Sequence, residues 1–146
     1  MKLRLKTKDR RLKTNMKMNK IQVRVRYPEV DQMGVVHHSN YFIYFEMARV
    51  EHLRATGYNY SDFEKDGILF AVVKLSCSYR SPAYYDEVLD IETTITRVRA
   101  ATIEHKYKVT KNDGKTLLAE AESTIACIDR QGNLQEIPEF LLKAME

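Results

Sequence analysis

The sequence predicts an α+β fold: an antiparallel five-stranded sheet wrapped around one long central helix. Three observations carry this expectation. One stretch, 40–56, has helical spacing and is apolar around most of its circumference. Five other segments show strand alternation or long apolar runs, four of them after the helix. The turn signal Asn112-Asp113-Gly114 then marks a hairpin within the later strands.

The first strand is read at 21–27, where Ile21, Val23, Val25 and Tyr27 alternate with Gln22, Arg24 and Arg26. Pro28 to Gly34 reads as a loop. The helix follows from Asn40, with Ser39 or Asn40 supplying an N-cap oxygen and Gly57 ending it. Its apolar residues fall on two arcs, Phe42, Ile43, Val50 and Leu53 on one and Tyr41, Phe45, Ala48 and Ala55 on the other. Such a helix is expected to be buried. Ile68–Tyr79 is a further strand. In 88–98, Leu89, Ile91, Thr93 and Ile95 share one face, and in 103–109 Ile103, His105, Tyr107 and Val109 do the same. Leu117–Ile128 is the last strand, its Ala119, Ala121 and Ser123 stripe allowing close approach of a helix. Pro138-Glu139-Phe140 opens a short C-terminal helix or tail. A sheet around one helix keeps two open edges, so a homodimer is the minimum expected.

Composition narrows the class. The 146 residues form one domain of ordinary globular make-up, with 44% hydrophobic and 30% charged residues. No membrane span or secretory segment is evident, and Cys77 and Cys127 form no metal-binding or disulfide pattern, so a reducing cytoplasmic location is the expectation. The net charge of +4 divides unevenly: residues 1–20 hold nine Lys/Arg against Asp9, or +8, leaving −4 for 21–146. Residues 1–20 therefore read as a basic extension, expected to be disordered and able to touch anionic surfaces, and 21–146 as the functional domain. No nucleic-acid partner is expected.

The chemistry concentrates in Asp31-Gln32-Met33-Gly34-Val35-Val36-His37-His38-Ser39-Asn40-Tyr41. A glycine turn carries an acid into the start of a helix, where unbonded N–H groups and the helix dipole favour developing negative charge. A carboxylate facing such a site can attack an acyl group or activate water against it. His37, His38 and Asp31 make a poor metal set, since adjacent histidines should point apart and no third ligand is evident. No metal or cofactor is expected.

Val23 to Arg54, including Tyr27-Pro-Glu-Val-Asp31-x-x-Gly34-Val-Val-x-His38-x-Asn40-Tyr41 and Phe45-Glu46-x-Ala48-Arg49, resembles the hotdog-fold acyl-CoA thioesterases. The resemblance is strongest to the 4-hydroxybenzoyl-CoA thioesterase and YbgC-like group, and it runs on through Tyr79, Pro82 and Asp86. It implies hydrolysis of an acyl-CoA to free acid and CoA, without metal or bound cofactor, by a homodimer or homotetramer. Asp31 falls at the family's catalytic aspartate, His38 at the helix-start residue whose backbone N–H polarises the thioester carbonyl, and Tyr27 at a tyrosine beside the acid. Gly34 and Asn40 belong to the same motif.

Other residues are candidates for support. Glu46 lies on an apolar arc and is expected to be part-buried with Arg49, either as an anchoring ion pair or as a second carboxylate orienting water. Arg97 and Arg99 fall in the segment where the resemblance places cations for the CoA phosphates, although Ala100 and Ala101 interrupt that run; Arg80 or Lys74 is a substitute. Tyr41 and Phe70 are expected pocket walls. An acyl-carrier-protein thioesterase or a hotdog hydratase/dehydratase are the alternatives, the latter opposed by Ser39-Asn40 following His38.

Overall fold

A computed structural model describes residues 17–145. β1 (Met18–Arg24), β2 (Leu69–Tyr79), β3 (Val88–Val98), β4 (Thr102–Lys111) and β5 (Leu117–Ile128) form one five-stranded sheet in the order β1-β3-β4-β5-β2, all pairs antiparallel. α1 (Asn40–Ala55), α2 (Tyr60–Lys65) and α3 (Glu139–Ala144) complete the fold. Among the described residues, no helix is long and apolar enough to cross a membrane.

Two boundaries differ from expectation. β1 begins at Met18, so Met18, Asn19 and Lys20, read as part of the extension, pair with Thr94, Thr93 and Glu92. Residues 1–16 lie outside the described residues. At its other end β1 stops at Arg24, because Tyr27–Glu29 winds into a 3-10 turn around Pro28, which fixes φ and cannot donate to a strand ladder. β4 and β5 meet as predicted through the turn at Gly114, whose φ is 70°. The Asp113 carboxylate accepts from the Lys115 and Thr116 N–H groups and the Thr116 hydroxyl.

α1 buries one stripe, not its whole circumference. Tyr41, Tyr44, Phe45, Ala48, Arg49, His52 and Leu53 are buried at helical spacing, whereas Phe42, Ile43 and Met47 are 40–49% exposed. Phe45 stacks on Tyr107 with ring centroids 4.6 Å apart. Around the first half of α1 an apolar cluster gathers Val25, Leu89, Ile91 and Val109, and a second cluster gathers Leu53, Phe63, Ile103, Ile125 and Leu141. The inward positions between them are polar: Thr93 lies between Ile91 and Ile95, His105 between Ile103 and Tyr107, and Ser123 between Ala121 and Ile125, all buried.

α2 was not foreseen. Asn59 caps it, its side-chain oxygen accepting from the Asp62 N–H at 3.0 Å.

Candidate active site

Asp31 occupies the first position of a tight turn. Its carbonyl accepts from the Gly34 N–H and its own N–H donates to Val35, both at 2.9 Å. Its carboxylate accepts from the Met33 N–H at 2.8 Å. Gly34 closes the turn at φ +79°, a left-handed conformation that a side chain resists. Val30 and Val36 then pair across the base of the turn, so the chain doubles back and runs directly into α1.

The junction with α1 is held by the Glu29 carbonyl, which accepts from the His37 N–H and from the Asn40 side-chain amide, both at 2.9 Å. Asn40 thus fastens the helix start to the loop. The expected side-chain cap does not form: the Ser39 hydroxyl bonds His37 Nδ1 at 2.8 Å instead, and the same nitrogen accepts from the Ser39 N–H at 3.2 Å. The Asn40 N–H donates to the His37 carbonyl, and that of Phe42 to Ser39. Among the described residues the N–H groups of His38 and Tyr41 have no hydrogen-bond acceptor. Two free donors at a helix N-terminus favour an anion there.

The His38 carbonyl, on the other side of that peptide unit, accepts from the Tyr79 hydroxyl at 3.0 Å. Burial pushes the Tyr79 hydroxyl up to about 12, so it remains a donor at neutral pH. Tyr41 packs edge-on against Tyr79, and His38 does the same from its exposed side. The two histidine rings do not point apart as expected: their centroids are 4.1 Å apart at a 31° tilt. Among the described residues no group of three His, Cys, Asp or Glu side chains is placed to hold a metal ion.

The remaining candidates separate. Tyr27 is 76% exposed and meets Tyr85 edge-to-face at 5.6 Å, forming a rim beside the Asp31 turn. Arg80 directly follows Tyr79 in the chain, but its guanidinium pairs with Glu120 at 3.4 Å, whose neighbours Ala119 and Ala121 are the core-facing ones, so it lies on the outer face of the sheet. Arg97 and Arg99 are far from it within this chain. The Val88 end of β3 pairs with Arg24, next to the Asp31 loop, and Arg97 is nine residues farther along, roughly 30 Å at strand rise. There Arg97 faces Glu104 at 3.6 Å. Phe70 also sits apart from Tyr41, packed against Tyr60 and Phe63.

Glu46 departs from expectation: it is exposed. Arg49 is instead the buried partner-seeker, and it donates to the Tyr107 hydroxyl at 3.0 Å, which in turn shares a 2.6 Å hydrogen bond with Ser123. Helical spacing suggested the Glu46–Arg49 pair, but Arg49 belongs to the inward stripe and Glu46 to the outer flank.

Glu29 escaped the sequence reading. It is only 5% exposed, with Oε1 accepting from the Arg26 N–H and the Tyr44 hydroxyl and Oε2 from the Arg26 guanidinium. Burial would raise its carboxyl, yet these hydrogen bonds and the Arg26 charge together hold it below its ordinary value of 4.5. The Arg26-x-x-Glu29 spacing was the available signal. For Arg49 and Tyr107 there was none, since they are 58 residues apart.

A curved antiparallel sheet in this strand order around one helix, with an acid-bearing turn at the helix start, is the hotdog fold of thioester-processing enzymes. Residues 25–145 match the Thioesterase-like superfamily, and the chain belongs to that family of thioester hydrolases. It is 34% identical over 116 residues to a protein described as putative acyl-CoA thioesterase YneP of Bacillus subtilis, covering 80% of this chain and 83% of the relative. It is 36% identical over 107 residues to acyl-CoA thioester hydrolase YbgC of Escherichia coli O6:H1, covering 73% and 79%. The crystal structure of a hypothetical protein from Aquifex aeolicus superposes with a TM-score of 0.82 at 32% identity, covering 88% of this chain and 99% of the other.

Proposed function

We propose that the protein hydrolyses acyl-CoA to free acid and CoA at the junction of the Asp31 turn and α1. The observation that carries this reading is the pair of unclaimed N–H groups, His38 and Tyr41, at the end of a loop that presents a carboxylate. A thioester carbonyl oxygen placed before those donors becomes more electrophilic, and the oxyanion formed on addition is stabilised there.

In the general-base route, Asp31 takes a proton from water as the water oxygen bonds to the carbonyl carbon. Collapse of the oxyanion breaks the C–S bond, and the departing thiolate recovers the proton from Asp31. In the nucleophilic route, Asp31 itself displaces the thiolate to form a mixed anhydride, which water then cleaves. His38 acts through its backbone in both, with Tyr79 fixing the peptide unit from the carbonyl side. Asn40, Gly34 and Glu29 hold the turn, and Tyr27 lines its rim. Arg80 is the cation that the family resemblance offers for a CoA phosphate from this chain; Arg97 and Arg99 serve only from a second copy.

The molecule also presents a surface for that copy. Val72 and Val73 on the edge strand β2 are 47% and 60% exposed, alongside Phe42, Ile43 and Met47 of α1. Pairing two β2 edges would bury this apolar flank and extend the sheet.

The deciding experiment follows CoA release with a thiol reagent over a panel of acyl-CoAs, for wild type and Asp31→Asn. Asparagine retains the acceptor for the Met33 N–H, so the turn survives. Turnover should fall by at least about a hundredfold; an undiminished rate in the folded variant would remove Asp31 from the reaction. A single turnover in oxygen-18 water distinguishes the routes, because only the nucleophilic one labels the Asp31 carboxylate.

A further inference from the structure

α1 packs mainly on β1 and β3, and β2 approaches it at two levels. At one end the Tyr79 hydroxyl of β2 meets the His38 carbonyl. At the other, Phe70 and Val72 of β2 face Glu46, Arg49 and Val50 of α1, with Tyr60 of α2, around a pocket of about 180 Å³. Phe42, Glu46 and Val50 are spaced four apart, so one helix flank leads from the first turn to this pocket. Glu46 and Arg49 stand roughly 9 and 14 Å beyond Asn40 along the axis at helical rise.

The floor of the pocket is unusual. Arg49 is only 8% exposed, and among the described residues no carboxylate lies within ion-pair distance of it. Its hydrogen-bond partner is the neutral Tyr107 hydroxyl. A guanidinium carries five N–H donors, and the Tyr107 hydroxyl takes one of those on Arg49, so others are available to a ligand in the pocket. Immediately behind it, Arg49, Tyr60 and Phe70 also wall a void of about 20 Å³ that reaches His105.

We propose that this pocket is the distal acyl subsite, and that Arg49 selects acyl chains carrying a hydroxyl at their far end. The inference rests on the acyl-CoA reading above. One side of the pocket is apolar (Val50, Phe70, Val72 and Ile125), which suits a methylene chain. At the end stand a donor, Arg49, and an acceptor, Glu46. A hydroxyl both accepts and donates and so satisfies the two, whereas a terminal carboxylate would be opposed by Glu46 and by Glu64 at the same pocket. The span along α1 requires an extended chain and exceeds the reach of a single hydroxylated ring.

The test compares kcat/KM for decanoyl-CoA and ω-hydroxydecanoyl-CoA, with calorimetric binding of the two free acids as a readout independent of turnover. Wild type should prefer the ω-hydroxy substrate and acid by about tenfold, as expected for a hydrogen bond to a charged group. Arg49→Met should bring both ratios to about one, with Arg49→Lys retaining part of the preference. Val50→Phe, in the pocket wall, should lower the ω-hydroxydecanoyl-to-butyryl ratio, and it tests the pocket even if Arg49→Met fails to fold. Hydrolysis of decanoyl-CoA by wild type without the ω-hydroxy preference, a preference unchanged in Arg49→Met, or an ω-hydroxydecanoyl-to-butyryl ratio unchanged in Val50→Phe overturns the subsite and leaves the thioesterase reading standing. Absence of hydrolysis of every CoA ester would overturn the reading instead, and the binding ratio would then judge the subsite alone.

Discussion

The Tyr44 hydroxyl donates a 3.0 Å hydrogen bond to Oε1 of Glu29, fastening the loop that carries Asp31 to the inner face of α1. Glu29 uses its carboxylate to hold Arg26 and Tyr44 and its carbonyl to hold His37 and Asn40. One residue therefore joins the strand end, the turn and the helix start.

Tyr44→Phe should cost about 2 kcal/mol, since it removes a buried hydrogen bond to a charged acceptor. The pH dependence has a definite sign. The Glu29 carboxyl is held below 4.5 in the folded state, so its contribution is complete above that value and is lost as pH falls through the lower, folded value. Urea melts of wild type and variant should differ most near neutrality and converge in acid.

Gly34→Ala should destabilise by roughly 1–2 kcal/mol through backbone strain alone. The residue sits at φ +79°, and an added Cβ would meet nothing within 4 Å. Turnover should fall with it, because the strained turn repositions Asp31. Thermal melts and kcat on one preparation check both effects.

Tyr79→Phe should leave the fold intact and lower kcat several-fold, with a stability loss of about 1 kcal/mol. The lost bond fixes the His38 peptide, whose N–H is a proposed oxyanion donor. An unchanged kcat would show that this peptide needs no support from β2.

His105→Gln should flatten the acid limb of the stability curve. Burial, the nearby His52 and the Arg49 charge hold the His105 ring down to about 3. An unfolded chain takes up a proton near 6.5 while the folded one withholds it, so stability drains as pH falls from 6.5 toward 3. Relative to the variant, wild type should lose up to about 1.4 kcal/mol per pH unit in that window, as measured by denaturant melts at fixed pH.

Val73→Lys, on the β2 edge, should shift the protein toward monomer in sedimentation velocity, because a charge on an open edge opposes pairing. A retained dimer would place the interface elsewhere.

The sequence by itself determined what depends on neighbours along the chain. Strand alternation in 88–98 and 103–109, the hairpin at Gly114, the stop at Gly57 and the left-handed turn at Gly34 are short-range consequences of side-chain periodicity and backbone sterics. The acid-to-helix motif was legible for the same reason, being contiguous from Asp31 to Tyr41. Tertiary structure alone decided the rest. β2 passes over to pair with β5 and leaves β3 to β1 and β4. That order places Tyr79 on the His38 carbonyl, sends Arg97 and Arg99 to the far end of the sheet, and brings Tyr107 to Arg49. Which side of α1 faces the sheet likewise exposed Glu46 and buried Arg49. The helix is apolar on both arcs, so its local pattern could not choose between them, and the choice fell to the partners that sheet order supplied.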